Sequence, residues 1–269
     1  MTSYYVHRPA RRHDSQKPSQ SVSIGSLTQW LAMVWASNQF PLRPAFIFAH
    51  PDDASLSAFL ALVETGPRAL DIVVCAGRPQ TQEPGTWDRQ SGFFSSHDAW
   101  TRRLTEHNAV NRMIGANSVT LNLIDGQYED MAAELWHQAQ LRAIAHMQSA
   151  GSNVVITHGW KSVHPDHRRV AALAHGAADE LQISVVFTCD RPYFSRAAER
   201  TNSPSINQSM SITCSFLLPT HIWVLKMATI ALYKSQHVAL SAAFGPEWCD
   251  EMHLRFESYT VILRNCQQI

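Results

Sequence analysis

Two short segments of the chain concentrate groups that can act together: His50-Pro51-Asp52-Asp53 and, more than a hundred residues later, His164-Pro165-Asp166-His167. Adjacent carboxylates repel, and burial helps neither unless a cation or a proton lies between them. Imidazole nitrogens and carboxylate oxygens converging on one point are the ligands that zinc or iron takes. His50, Asp53 and His167 offer such a set, and three protein ligands leave a position open for water. A metal lowers the pKa of that water toward about 7. Asp52 is then left to take its proton, and His164 to donate to an oxyanion or a leaving group. The plainer alternative makes Asp52 or Asp53 a helix cap and Pro165 the first residue of a second helix. Either motif alone leaves the choice open; the pair favours the metal.

The elements around the motifs read as alternating strands and helices. Residues 45–49 form a short buried strand, 55–66 a helix ended by Gly66-Pro67, and 70–76 a second strand. A long polar loop, 77–98, precedes a helix at 99–116 and a strand at 118–123. A helix at 129–151, a strand at 153–158, a helix at 165–181 and a strand at 183–190 follow. The spacing also predicts a helix over 23–39, one over 220–240, a short one over 245–254 and a last strand over 255–263. Such repetition predicts a single Rossmann-like α/β domain, with a mostly parallel sheet and helices on both faces. Ligands in such sheets bind outside the carboxyl ends of the strands, where both motifs fall. Residues 1–43 read as an N-terminal arm and helix, and 44–269 as the α/β domain that carries both motifs.

With 269 residues, 45% of them hydrophobic, the chain can bury a sizeable core. Lys plus Arg and Asp plus Glu number 22 each, so no overall field favours nucleic acid or an anionic membrane. Five scattered cysteines without a CxxC pair indicate neither a zinc knuckle nor a disulfide framework, and read as reduced thiols. No secretory signal and no membrane span is apparent. A soluble, cytoplasmic protein with a small-molecule partner is expected; the sequence does not give its oligomeric state.

In that order, "AHPDD" after the first core strand and "HPDH" after a later one resemble the family of N-acetylglucosaminyl-phosphatidylinositol de-N-acetylases and LmbE-like proteins. That family includes the bacterial deacetylases of mycothiol and bacillithiol synthesis, and the likeness runs from about residue 44 to 190. The resemblance implies Zn2+ bound by His50, Asp53 and His167, with Asp52 as general base. It implies His164 at the oxyanion or the departing amine, and Asp166 orienting that imidazole. One departure stands out: the family usually continues with Glu where this chain has Ala54, a difference at a supporting position rather than a ligand. Other divalent metals, such as iron, cobalt or nickel, also suit this donor set.

The activity implied is removal of acetyl from an N-acetylglucosamine-type sugar. An N-acetylated aminoglycoside precursor such as 2'-N-acetylparomamine is expected first, a glycopeptide pseudoaglycone second, and a thiol-cofactor precursor as the alternative. A cationic substrate predicts extra carboxylates, which Glu83, Asp88 and Asp98 in the long loop offer. Arg89, His97, Asp98 and His158 are candidate substrate contacts by position, His158 being equally suited to a satisfied, buried role. Two rival functions remain. A non-haem iron oxygenase would use His50, Asp52 and His167, but on a fold of many alternating strands. A sugar-binding protein would keep the site without turnover.

Overall fold

Residues 5–7, 26–35, 41–159, 162–193 and 211–262 are described by a computed structural model. The apolar run that precedes the first motif becomes β2 (Pro44–Phe48), every residue of it buried. It pairs in parallel with β3 (Leu70–Val73) on one side and β5 (Val154–His158) on the other. β4 (Asn117–Thr120) extends the parallel sheet beyond β3, and β6 (Ser184–Thr188) extends it beyond β5. Three antiparallel strands complete the other edge: β8 (Phe256–Ile262), β7 (Ser211–Leu217) and β1 (Tyr5–His7). The order is β1-β7-β8-β6-β5-β2-β3-β4. Chain order therefore reverses at β2, and the crevice outside the ends of β2 and β5 is the switch point where such sheets hold ligands.

Helices cover both faces, as the alternation of side chains along β2 shows. Ala45 and Ile47 pack with Ala139, Ala143 and Met147 of α6 (Ala133–Ala150) and Val170 and Ala174 of α7 (Pro165–Glu180). Phe46 and Phe48 share the other core with Leu27, Trp30 and Leu31 of α1 (Leu27–Trp35). That helix thus packs into the same core as the strands from residue 44 onward.

Two expected helices are each divided. The first breaks at Ala58, whose φ of −137° and ψ of 26° separate α2 (Asp53–Ser57) from α3 (Phe59–Thr65). A fully buried ion pair occupies the break. Lys226 Nζ donates to the Leu56 carbonyl and to Glu257, each at 2.7 Å. Glu257 accepts the Phe59 and Leu60 N–H groups at 3.0 and 2.9 Å. These side chains satisfy backbone groups that a continuous helix would have paired. The second division falls between α8 (Thr220–Ile230) and α9 (Lys234–Phe244). Tyr233, in the turn, donates its hydroxyl to the Pro51 carbonyl at 2.9 Å and so grips the first motif.

The long loop contains a short helix, α4 (Thr86–Gln90), and α5 (Ser96–Ile114) begins earlier than expected. Ser95 caps α5 by accepting the Asp98 N–H, which puts His97 and Asp98 in its first turn. β7 and β1 fall in segments for which no strand was expected. No helix among the described residues is long and apolar enough to cross a membrane.

Candidate active site

The first motif leaves β2 in a tight turn. The His50 N–H donates to Asp53 Oδ2 at 2.7 Å, while Asp53 opens α2. Asp52 stands at the N-cap position without making a capping hydrogen bond, which leaves its carboxylate free of that duty. The second motif starts α7. His164 is its N-cap, accepting the Asp166 N–H on Nδ1 at 3.3 Å, and Pro165 takes the first turn. The expected backbone role of this motif is therefore real, and it leaves His167 pointing at the end of β2.

Three donor atoms converge. His50 Nδ1 lies 3.1 Å from His167 Nε2, Asp53 Oδ2 lies 3.4 Å from His167 Nε2, and Asp53 Oδ2 lies 3.5 Å from His50 Nδ1. Ligands about 2.0–2.2 Å from a tetrahedral ion stand about 3.3–3.6 Å apart, so this triangle fits such a cation. His158 is a rival third ligand, since its Nε2 lies 3.3 Å from Asp53 Oδ2 and it shares a possible metal cluster with Asp53 and His167. However, its Nε2 already accepts the Ala49 N–H at 3.0 Å, and its Nδ1 bonds Asp190 Oδ1 at 3.0 Å. Both ring nitrogens are engaged, which makes His158 a support and His50 the better ligand. It is fully buried, stacked on His167 with ring centroids 3.9 Å apart, and presents no surface to a substrate.

Electrostatics separate the two adjacent acids. Burial raises the pKa of Asp53, but His167, His158 and His50 outweigh it and hold the carboxyl well below 3.8. Burial and the Asp53 charge raise Asp52 above its ordinary value, against the pull of Arg103 and His50. Burial, followed by the charges of His50 and His167, lowers His164 to about 4.

The Asp166 carboxylate differs from expectation. It does not orient His164, which meets only the Asp166 backbone N–H. Instead Asp166 Oδ2 lies 3.5 Å from His50 Nε2 and accepts the Gly126 N–H at 3.0 Å. A Cβ on Gly126 would come within 2.8 Å of Asp166 Oδ1, so this approach needs glycine. Asp166 thus steadies His50 from behind, leaving Nδ1 to face the donor triangle.

Three site residues escaped the sequence reading. Asp125 Oδ2 lies 3.8 Å from His50 Nε2 and accepts from Arg103 Nη1 at 2.9 Å; His50 and Arg103 keep it well below the carboxylate range despite burial. Asp190 lies behind His167, bonding its Nδ1 at 2.8 Å. Each of these acids follows the end of a parallel strand, a positional signal in α/β sheets, but neither lies in a motif.

Among the remaining candidates, Arg89 is exposed and donates to the Pro84 carbonyl, while His97 bonds the Pro79 carbonyl at 3.0 Å and Arg78 at 3.3 Å. Asp98 is exposed and, with Phe93, Arg102 and Lys234, lines a separate open cavity of about 570 Å³. None of the three joins the histidine cluster. Asp88 is buried, accepting the Tyr128 hydroxyl at 2.6 Å, and Glu83 is exposed. Ala54 sits in the apolar cluster with Phe46 and Phe48, so no carboxylate acts from that position. Asp53, not Asp52, faces the imidazoles, and the fold is α/β; both findings argue against the oxygenase arrangement.

The family model of PIG-L, GlcNAc-PI de-N-acetylase, matches residues 45–178, the segment that carries both motifs. This chain is a member of the PIG-L family. Comparison with curated proteins finds no match. Among solved structures, the zinc-inhibited form of teicoplanin deacetylase is similar with a TM-score of 0.66 and 19% identity, covering 84% of this chain and 100% of the other. The A40926 pseudoaglycone deacetylase gives 0.68 and 18%, covering 84% and 99%. A 4-carboxy-2-hydroxymuconate hydratase from Pseudomonas putida gives 0.54 and 16%, covering 85% and 99%. At such identities the likeness is one of fold, and this PIG-L fold carries more than one chemistry.

Proposed function

We propose that this PIG-L family member is a divalent-metal amide hydrolase that removes acetyl from an N-acetylated amino sugar of a glycopeptide-type intermediate. The observation that carries the reading is the donor triangle of His50, Asp53 and His167, with Asp52 adjoining it in sequence and the His164 ring 5.0 Å from that of His50. A cation held there would supply Lewis-acid polarisation of the acetyl carbonyl and lower the pKa of a water. Asp52 takes the proton of the attacking water; its raised pKa makes it a better base than a surface aspartate. Because His164 Nδ1 accepts a backbone N–H, its Nε2–H is the donor left for the carbonyl oxygen as charge builds there. With a pKa near 4 this imidazole works as a neutral donor at neutral pH. The proton held by Asp52 then leaves with the amine.

Zinc is the first metal to test because the donor set suits it, with excess zinc avoided, since a glycopeptide deacetylase neighbour has a zinc-inhibited form. Two glycopeptide deacetylases among the structural neighbours support a pseudoaglycone substrate ahead of the aminoglycoside. The loop acids expected to meet a cationic sugar add nothing to the alternative, since Asp88 is buried against Tyr128 and Asp98 lines a separate cavity. The hydratase neighbour motivates a second reading, addition of water to an enol acid. Acetate release should be measured with an N-acetylglucosaminyl pseudoaglycone, N-acetylparomamine and a thiol-cofactor precursor, alongside hydration of a 2-hydroxymuconate. Release from the pseudoaglycone alone supports the proposal; release from N-acetylparomamine alone restores the aminoglycoside. Hydration without acetate release would overturn the hydrolase.

A further inference from the structure

One fully buried carboxylate stands behind both halves of the site. Asp190 follows β6, and its Oδ1 bonds His158 Nδ1 at 3.0 Å. Its Oδ2 bonds His167 Nδ1 at 2.8 Å and also accepts the Ser162 hydroxyl. Ser162 Oγ in turn accepts the His164 backbone N–H at 3.2 Å. We propose that Asp190 is a positioning residue, fixing the metal-ligand imidazole of His167 directly and the backbone of His164 through the Ser162 hydroxyl.

The physical reason is the tautomer. A carboxylate only accepts, so the His167 proton facing it must sit on Nδ1, and the Nε2 lone pair then faces His50 and Asp53. Both Asp190 oxygens are used, one for each histidine. The amide of an asparagine there would present one oxygen and one NH2 group. Whichever histidine met the NH2 would have to give up its Nδ1 proton, and a neutral ring would then carry it on Nε2. For His167 that places an N–H where the cation needs a lone pair. For His158 it places an N–H on Nε2, against the Ala49 N–H that this nitrogen accepts. Neither orientation of asparagine, though isosteric, should therefore restore the site. A residue that merely filled space would be rescued by it.

The inference rests on the metal-site part of the proposed function and not on the substrate. Zinc affinity of the full-length protein is read by competition with a chromophoric chelator. Asp190→Asn and Asp190→Ala should both weaken it about 10- to 100-fold, while Ser162→Ala stays within about threefold of the parent. Parent-like affinity in Asp190→Asn would overturn the proposal. Should the Asp190 variants not fold, nitrogen–proton correlation spectra of the metal-free parent at pH 8 decide: His167 protonated at Nδ1 supports the inference, and the Nε2–H tautomer overturns it. Failure of the parent to bind zinc would remove the ligand assignment and this inference together. Tight zinc binding without acetate release would overturn only the hydrolase reading.

Discussion

Three imidazoles hold the Asp53 carboxyl ionised, while the neighbouring Asp52 carries the extra cost of burial beside that charge. One residue is thereby suited to bind a cation and the next to accept a proton. Asp52→Asn should lower acetate release by about 10²- to 10⁴-fold and leave the bound metal unchanged, as read by elemental analysis of the same sample. The pH dependence follows from the same shift. The base works only when ionised, and its pKa is raised, so activity should fall on the acid side at a pH above the ordinary aspartate value of 3.8. A profile of kcat/KM checks this. At this scale the sequence was informative where chemistry is local: His50, Asp53 and His167 do converge. Asp125, Asp190 and Arg103 were missed because each reaches the site by tertiary placement, with no short-range pattern to mark it.

The broken helix after the first motif shows what periodicity cannot reveal. Residues 55–66 are apolar enough to suggest one helix, yet Glu257 and Lys226, both far along the chain, take up the Leu56 carbonyl and the Phe59 and Leu60 N–H groups and divide it at Ala58. Lys226→Met would leave Glu257 buried without its cation. It should cost about 3–5 kcal/mol, measured by urea unfolding with the metal present. Likewise, β7 carries a readable alternation, with Cys214 and Phe216 in the core while Thr213 and Ser215 bond Thr260 and Ser258 across the strands. Its place beside β8 depends on long-range pairing, and adjacent apolar residues hid the period. The parallel core was legible because buried strands and helices alternate there, a pattern that survives the break at Ala58.

For the whole molecule, reversal of strand order at β2 brings together two motifs separated by more than a hundred residues. It also gathers Asp53, Asp125 and Asp190 among imidazoles and Arg103. All three acids have folded pKa values below their ordinary ones, so the unfolded chain binds more protons in this range. Their stabilisation is present above pH 3.8 and is lost as pH falls through the lowered values. Denaturation midpoints of the metal-free protein should therefore drop steeply on acidification, and Asp190→Asn should flatten the drop. A cation bound to the folded form alone stabilises it by about 4 kcal/mol at a thousandfold excess over Kd. Chelation at neutral pH should accordingly lower Tm, an effect calorimetry would read directly.

The most direct test of the central claim measures acetate release from an N-acetylglucosaminyl pseudoaglycone together with metal content, in the parent and in Asp52→Asn. The account predicts one metal per chain in both and acetate from the parent only. Acetate released equally by both, or by a parent that holds no metal, would contradict it.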